Sequence, residues 1–302
     1  KTIKERSNIV KRNFAVIGGD LRSLKLVDFL REDGHKVNIF GFGTYNQRSK
    51  PYNQESEPMP FPEILKENQK DDNQLSTIIH EADAVIGPVP CSNDNETINA
   101  PFHSEKIYIN DVLKKMNKNQ IFIAGRISSK IAHLAEVYNV YTVDILDREE
   151  MAILNAIPTA EGAIQIAMEE MPITLHGSNS LVMGFGRIGK ILAKMLHGLG
   201  ANTFVSVRKY SDIAWIKSYG YKPILISETE KYLPYMDVVF NTIPAMVLDE
   251  KRLSKLKNDC LVIDLASSPG GVDFEKAKAL GLKVNWALSL PGKVAPVTAA
   301  KF

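Results

Sequence analysis

The chain has 302 residues, enough for about two domains, with 44% hydrophobic and 24% charged residues, ordinary values for soluble globular proteins. Thirty-seven basic against thirty-five acidic residues leave a formal charge of +2, and no basic run interleaved with aromatics occurs, so neither nucleic acid nor a membrane surface is indicated. There is no apolar run of 18 residues, the start "KTIKERSNIVKRN" is too polar for a secretory signal, and Cys91 and Cys260 form no C-x-x-C pair, which makes a reducing cytoplasm the simplest home.

Along the chain, "FAVIGG" (14–19) reads as a strand ending in glycines. Leu21, Leu24, Val27 and Leu30 then recur at helical spacing, and Gly34 marks the helix end. "KVNIFGF" (36–42) is a second strand. Residues 44–74 are polar and proline-rich and read as a long loop. "ADAVIGPVP" (82–90), "QIFIAG" (120–125) and "VYTVDIL" (140–146) are three more strands, with a helix over 128–138 between the last two. Such alternation predicts a parallel, doubly wound sheet. Residues 147–170 read as helical on both sides of Pro158, which is expected to break or kink the run. This connection divides the chain into a substrate domain, 1–150, and a second domain, 151–302.

The second half repeats the rhythm with six strands: "SLVMGFG", "ANTFVSVRK", "YKPILIS", "MDVVFNTIP", "CLVIDLASS" and "LKVNWAL". The fold class is therefore α/β, two doubly wound parallel-sheet domains, the second with the strand count of a dinucleotide-binding Rossmann domain. "MGFGRIG" places Gly184, Gly186 and Gly189 in the G-x-G-x-x-G pattern, after a strand and at the start of a helix. Gly184 permits the tight turn, Gly186 lets backbone N–H groups near a pyrophosphate, and Gly189 lets helix and strand pack closely; Phe185, Arg187 and Ile188 complete the turn. About twenty residues on, where NAD binders carry an acidic residue, stand Arg208 and Lys209. Two cations suit a 2′-phosphate, so the expected cofactor is NADP, with NAD as the alternative. Asn241, Thr242, Ile243 and Pro244 end the fourth strand of this sheet and should border the cofactor.

"DLASSPGGVDF" ends the fifth strand. Ser267, Ser268, Gly270 and Gly271 are expected to bind substrate, the glycines admitting a flat ring and their N–H groups an anion; a wide turn with an N-cap at Asp273 is the other reading. "IGGD" lacks a third glycine, so Gly19, Asp20 and Arg22 suit a substrate carboxylate rather than a second nucleotide. The six histidines suggest no metal site. His103, in a loop, Glu161, in "PTAEG", and Lys293 are the candidates for catalysis, Glu161 also reading as a first-turn helical residue.

"AVIGGDLR", "PTAEGAI", "MGFGRIGK", "NTIPAMVL", "DLASSPGGVDF" and "LPGKVAP" together closely resemble the A-subunit family of bacterial dipicolinate synthase, in the family's order and over nearly the whole chain. The resemblance implies NADP-dependent oxidation of dihydrodipicolinate, a small dicarboxylate, to dipicolinate during endospore formation, in the mother cell of a sporulating bacterium. It also implies a partner, the flavoprotein-like dipicolinate synthase B subunit, and a homo-oligomer. Family members usually continue into a further C-terminal helix where this chain stops at "VTAAKF". A 2-hydroxyacid or amino-acid dehydrogenase, or a non-catalytic NADP-binding component of a flavoprotein complex, are the alternative readings.

Overall fold

The computed structural model describes residues 10–43 and 72–302, leaving most of the polar stretch read as a long loop outside the described residues. The chain forms two compact units. One contains the residues up to Met151 together with Pro296–Phe302, and the other contains Ala152–Ala295.

In the first unit, β1 (Asn13–Ile17), β2 (Lys36–Phe40), β3 (Ala84–Ile86), β4 (Ile121–Ala124) and β5 (Tyr141–Asp144) form one parallel sheet in the order β2-β1-β3-β4-β5. This is the flavodoxin-like doubly wound order, and strand alternation feeds both of its faces. Ala15 and Ile17 of β1 point into a cluster with Leu75 and Ile79 of α2 (Asp72–His80), Ile109 and Val112 of α3 (Ile109–Lys115) and Ile131 of α4 (Ser129–Val137). Val16 points the other way, onto Leu24 and Val27 of α1 (Leu21–Glu32). Gly34, at φ +86°, follows the α1 C-cap Asp33 as expected. Helix α2 starts inside the stretch read as loop, and α3 carries no strong sequence signal.

The chain enters the second unit within α5 (Glu149–Glu170), which runs unbroken through Pro158. The expected break does not occur. Pro158 is buried, Ala160, Ala163 and Ala167 pack the next turns into the core, and the Thr159 hydroxyl donates to the Asn155 carbonyl at 2.9 Å. Tertiary packing thus outweighs the lost backbone bond.

Six parallel strands follow: β6 (Asn179–Met183), β7 (Asn202–Val207), β8 (Lys222–Leu225), β9 (Val238–Asn241), β10 (Leu261–Asp264) and β11 (Lys283–Trp286), in the order β11-β10-β9-β6-β7-β8. This is the Rossmann order, with its switch point between β6 and β9. Val182 packs on one face with α5 and with Leu192 and Leu196 of α6 (Arg187–Gly198); Leu181 and Met183 pack on the other with Val239 and Val262. The remaining helices are α7 (Tyr210–Ser218), α8 (Glu250–Leu253), α9 (Phe274–Ala279), α10 (Leu290–Val294) and α11 (Pro296–Lys301). Helix α11 belongs to the first unit, where the Lys301 ammonium lies 5.3 Å from the centre of the Phe29 ring of α1. Among the described residues no helix is long and apolar enough to cross a membrane.

Candidate functional site

The turn between β6 and α6 uses its three glycines differently. Gly184 sits at φ +101°, and a Cβ there would lie 2.5 Å from the Thr242 hydroxyl. A Cβ on Gly189 would lie 2.3 Å from the Gly184 carbonyl oxygen, so the helix rests directly on the turn. Gly186 is different: its φ is −81°, which any residue adopts, and a Cβ there would meet nothing within 4 Å. The protein itself gives no reason for glycine at 186, whereas a phosphate approaching the main chain would. Gly186 also caps α6 without a side-chain acceptor, while Asp20, Ser128, Asp249 and Asp273 cap α1, α4, α8 and α9 through their side chains. The start of α6 therefore has no side-chain cap of its own, and the helix dipole there favours an anion. Arg187 is exposed and Ile188 half-buried, but the Phe185 ring turns into the core, with Lys190 Nζ 5.6 Å from its centre.

Both neighbouring strands reach this turn. The Gly184 N–H donates to the Ser206 carbonyl of β7 at 2.9 Å, and the Thr242 N–H and hydroxyl both donate to the Met183 carbonyl, at 3.0 and 2.8 Å. Two residues past Ser206 the chain presents Arg208 and Lys209, both exposed and with no ion-pair partner among the described residues. Asn241, fully buried, folds its amide over the next turn: Oδ1 accepts from the Ile243 N–H at 3.0 Å, and Nδ2 donates to the Ile243 carbonyl at 3.0 Å. Thr242 and Ile243 are half-buried and Pro244 is exposed.

At the end of β10 stands a residue that the sequence does not single out. Asp264 is fully buried, and its carboxylate accepts hydrogen bonds from Asn241 Nδ2 (2.8 Å), the Ala266 N–H (3.0 Å) and the Gly271 N–H (2.8 Å). The glycines of "SSPGG" are shaped to this carboxylate. Gly270, at φ +85°, would bring a Cβ within 2.8 Å of Asp264 Oδ2, and a Cβ on Gly271 would lie 2.2 Å from Asn241 Nδ2 and 2.6 Å from the Ile243 carbonyl. Both glycines are buried among protein atoms, so the space expected for a flat ring is filled by Asp264 and Asn241. The N–H of Gly271 and the start of α9 are likewise taken, by Asp264 and by the Asp273 cap. Ser267, Ser268 and Pro269 are exposed at the strand end.

In the first unit the β1–α1 turn also supplies its own anion. The N–H groups of Gly18 and Gly19 donate to the carbonyls of Phe40 and Asn99, and the Asp20 carboxylate caps α1 by accepting from the Arg22 N–H at 2.9 Å. The Arg22 guanidinium pairs with the same carboxylate at 2.8 Å and donates to the Val89 carbonyl. The carboxylate site expected from Gly19, Asp20 and Arg22 is thus filled by Asp20. His103, half-buried, places its ring 5.5 Å from that of Phe40. Glu161 is exposed in the middle of α5, not in a first turn, and Lys293 is exposed on α10. Burial pushes the Cys91 and Cys260 thiols up to about 12, which removes both as nucleophiles. Among the described residues no group of three His, Cys, Asp or Glu side chains is placed to hold a metal ion.

This geometry agrees with comparisons across known proteins. The family model for the N-terminal domain of the dipicolinate synthase A-subunit matches residues 13–146, and that for the D-isomer specific 2-hydroxyacid dehydrogenase NAD binding domain matches 156–273. The chain is 31% identical to the dipicolinate synthase A-subunit of Bacillus subtilis (strain 168) over 289 residues, which is 95% of this chain and 91% of the relative. Among solved structures, the dipicolinate synthase A-subunit from Bacillus halodurans is similar with a TM-score of 0.82 and 30% identity, over 97% of this chain and 95% of that one. Its counterpart from Bacillus subtilis is similar with a TM-score of 0.78 and 30% identity, over 98% and 94%. With both halves matched and 95% of its length aligned, the chain belongs to the dipicolinate synthase A-subunit family and carries an NAD-binding domain of the dehydrogenase type.

Proposed function

We propose that this chain oxidises dihydrodipicolinate to dipicolinate with NADP⁺, in the mother cell of a sporulating bacterium and together with a flavoprotein-like B subunit. The observation that carries the cofactor reading is the space in front of Gly186, bordered through β7 by two cations with no ion-pair partner among the described residues. Gly184, Gly186 and the first turn of α6 hold the pyrophosphate; Arg208 and Lys209 take the 2′-phosphate; and Thr242 to Pro244 border the ribose and nicotinamide side. The nicotinamide, when bound, accepts the hydride, and the ring loses one proton as it becomes aromatic, so the products are dipicolinate, NADPH and a proton. His103, Glu161 and Lys293 are the candidates for the base that takes this proton, and exposed Ser267 and Ser268 are candidate substrate contacts.

The test is to follow NADPH and dipicolinate formation from dihydrodipicolinate and NADP⁺ with the wild type, with and without the B subunit. Both products should form at equal rates. A charge-assisted contact to a phosphate contributes about 1.5–3 kcal/mol, so Arg208→Ala should weaken NADPH about ten- to a hundredfold and leave NADH nearly unchanged. A wild type that prefers NADH, or equal losses for both dinucleotides, overturns the NADP assignment. Nucleotide binding without turnover in either mixture overturns the reaction.

A further inference from the structure

Of the arginines described in the first unit, Arg22 is paired with Asp20, Arg148 with Glu150, and Arg31 donates to the Val37 carbonyl. Arg12 precedes β1 and so lies at the amino end of the sheet. Arg126 differs from all of these. It follows β4 at the carboxyl end of the sheet, the end at which ligands of doubly wound sheets lie, and it is exposed with no partner for its guanidinium among the described residues.

Its backbone is also out of the ordinary. Arg126 has φ +59°, a left-handed conformation in which a Cβ is unfavourable. Among the described residues of this unit two other non-glycine residues share it, Asn95 and Asn139, and asparagine tolerates it. A long cationic side chain gains no such local hydrogen bonding, and the conformation is held from outside. Asp144, ending β5, accepts the Arg126 N–H at 2.9 Å and the Ile127 N–H at 2.6 Å, with the Leu146 N–H as a third donor at 2.8 Å. On the other side Gly125 is stitched to the end of β3: its N–H donates to the Pro88 carbonyl, its carbonyl accepts from the Cys91 N–H, and a Cβ on it would lie 2.7 Å from the Val89 side chain. The main chain at Arg126 is therefore clamped between two strand ends.

We infer that Arg126 is the residue of the first unit that receives one carboxylate of the substrate, with Asp144 as the residue that positions it. The inference rests on the dicarboxylate reading proposed above. A guanidinium suits a planar carboxylate because it offers two parallel N–H donors, and among the described residues no internal acid competes for it.

The test uses the full chain at saturating NADP⁺, titrated calorimetrically with pyridine-2,6-dicarboxylate and with pyridine-2-carboxylate. Arg126→Asn removes the cation but keeps a residue at ease at positive φ, so the variant should fold with an unchanged or higher Tm. It should bind the dicarboxylate at least about tenfold more weakly, lose the wild-type preference for two carboxylates over one, and keep its NADP⁺ affinity. Arg126→Lys should retain part of that preference. If Arg126→Asn keeps the full preference, Arg126 is only a solvated side chain and the assignment fails while the reaction stands. If the wild type binds neither acid, the reaction and this assignment fall together.

Discussion

Gly184, Gly186 and Gly189 are glycine for three physical reasons, and these separate by mutation. Gly189→Ala forces a Cβ against a carbonyl oxygen and should destabilise the second unit by about 1–3 kcal/mol, read as a lower denaturant midpoint. Gly186→Val sets its Cβ where no protein atom lies within 4 Å, so its midpoint should stay near the wild-type value while dinucleotide binding disappears from calorimetry. If Gly186→Val binds normally, the space in front of it holds no pyrophosphate. These roles are legible in sequence because the spacing of the glycines encodes them. Asp264 and Arg126 are not, since their character depends on which N–H groups or acids the fold brings to them from distant positions: Gly271 and Asn241 to Asp264, Asp144 to Arg126. Arg22 is the converse case. In sequence it is a free cation beside a glycine turn, and in the fold the neighbouring Asp20 neutralises it.

At the scale of elements, the eleven strands among the described residues stand out in the sequence as short apolar runs ending in turn residues, and the strand–helix alternation leads directly to two parallel sheets. What escapes is what polar composition conceals. The segment "DNQLSTIIH" opens inside the stretch read as loop, yet Leu75, Ile78 and Ile79 share one face of α2 and fill the first core. Pro158 looks like a stop, and the burial of its neighbours overrides it. The strand ends of β9 and β10 act as one piece, because Asp264 ties the turn after Asn241 to the loop 266–271. Asp264→Ala leaves three buried donors without an acceptor, at about 1 kcal/mol or more each, so the midpoint of the second unit should fall by the equivalent of about 3 kcal/mol. Dinucleotide affinity should fall with it, since Asn241 loses its anchor. A variant as stable as the wild type would show that water or a local shift replaces the carboxylate.

At the scale of the whole molecule, the first unit is discontinuous: α11 joins it from the far side of the second in sequence. Removing Pro296–Phe302 takes away the contact of Lys301 with the Phe29 ring and the packing of α11 on α1. The first unit should lose about 1–2 kcal/mol, with faster hydrogen exchange in α1, while dinucleotide affinity in the second unit is unchanged. Exchange in α1 that does not respond would mean that α11 contributes nothing there. The same arrangement bears on how the protein is made. On the ribosome the five-stranded sheet emerges first, but the segment that covers α1 leaves the exit tunnel only after every residue of the six-stranded sheet. The first unit is therefore completed only after the second has been synthesised, and the α1 surface that α11 packs against stays open to chaperones until then.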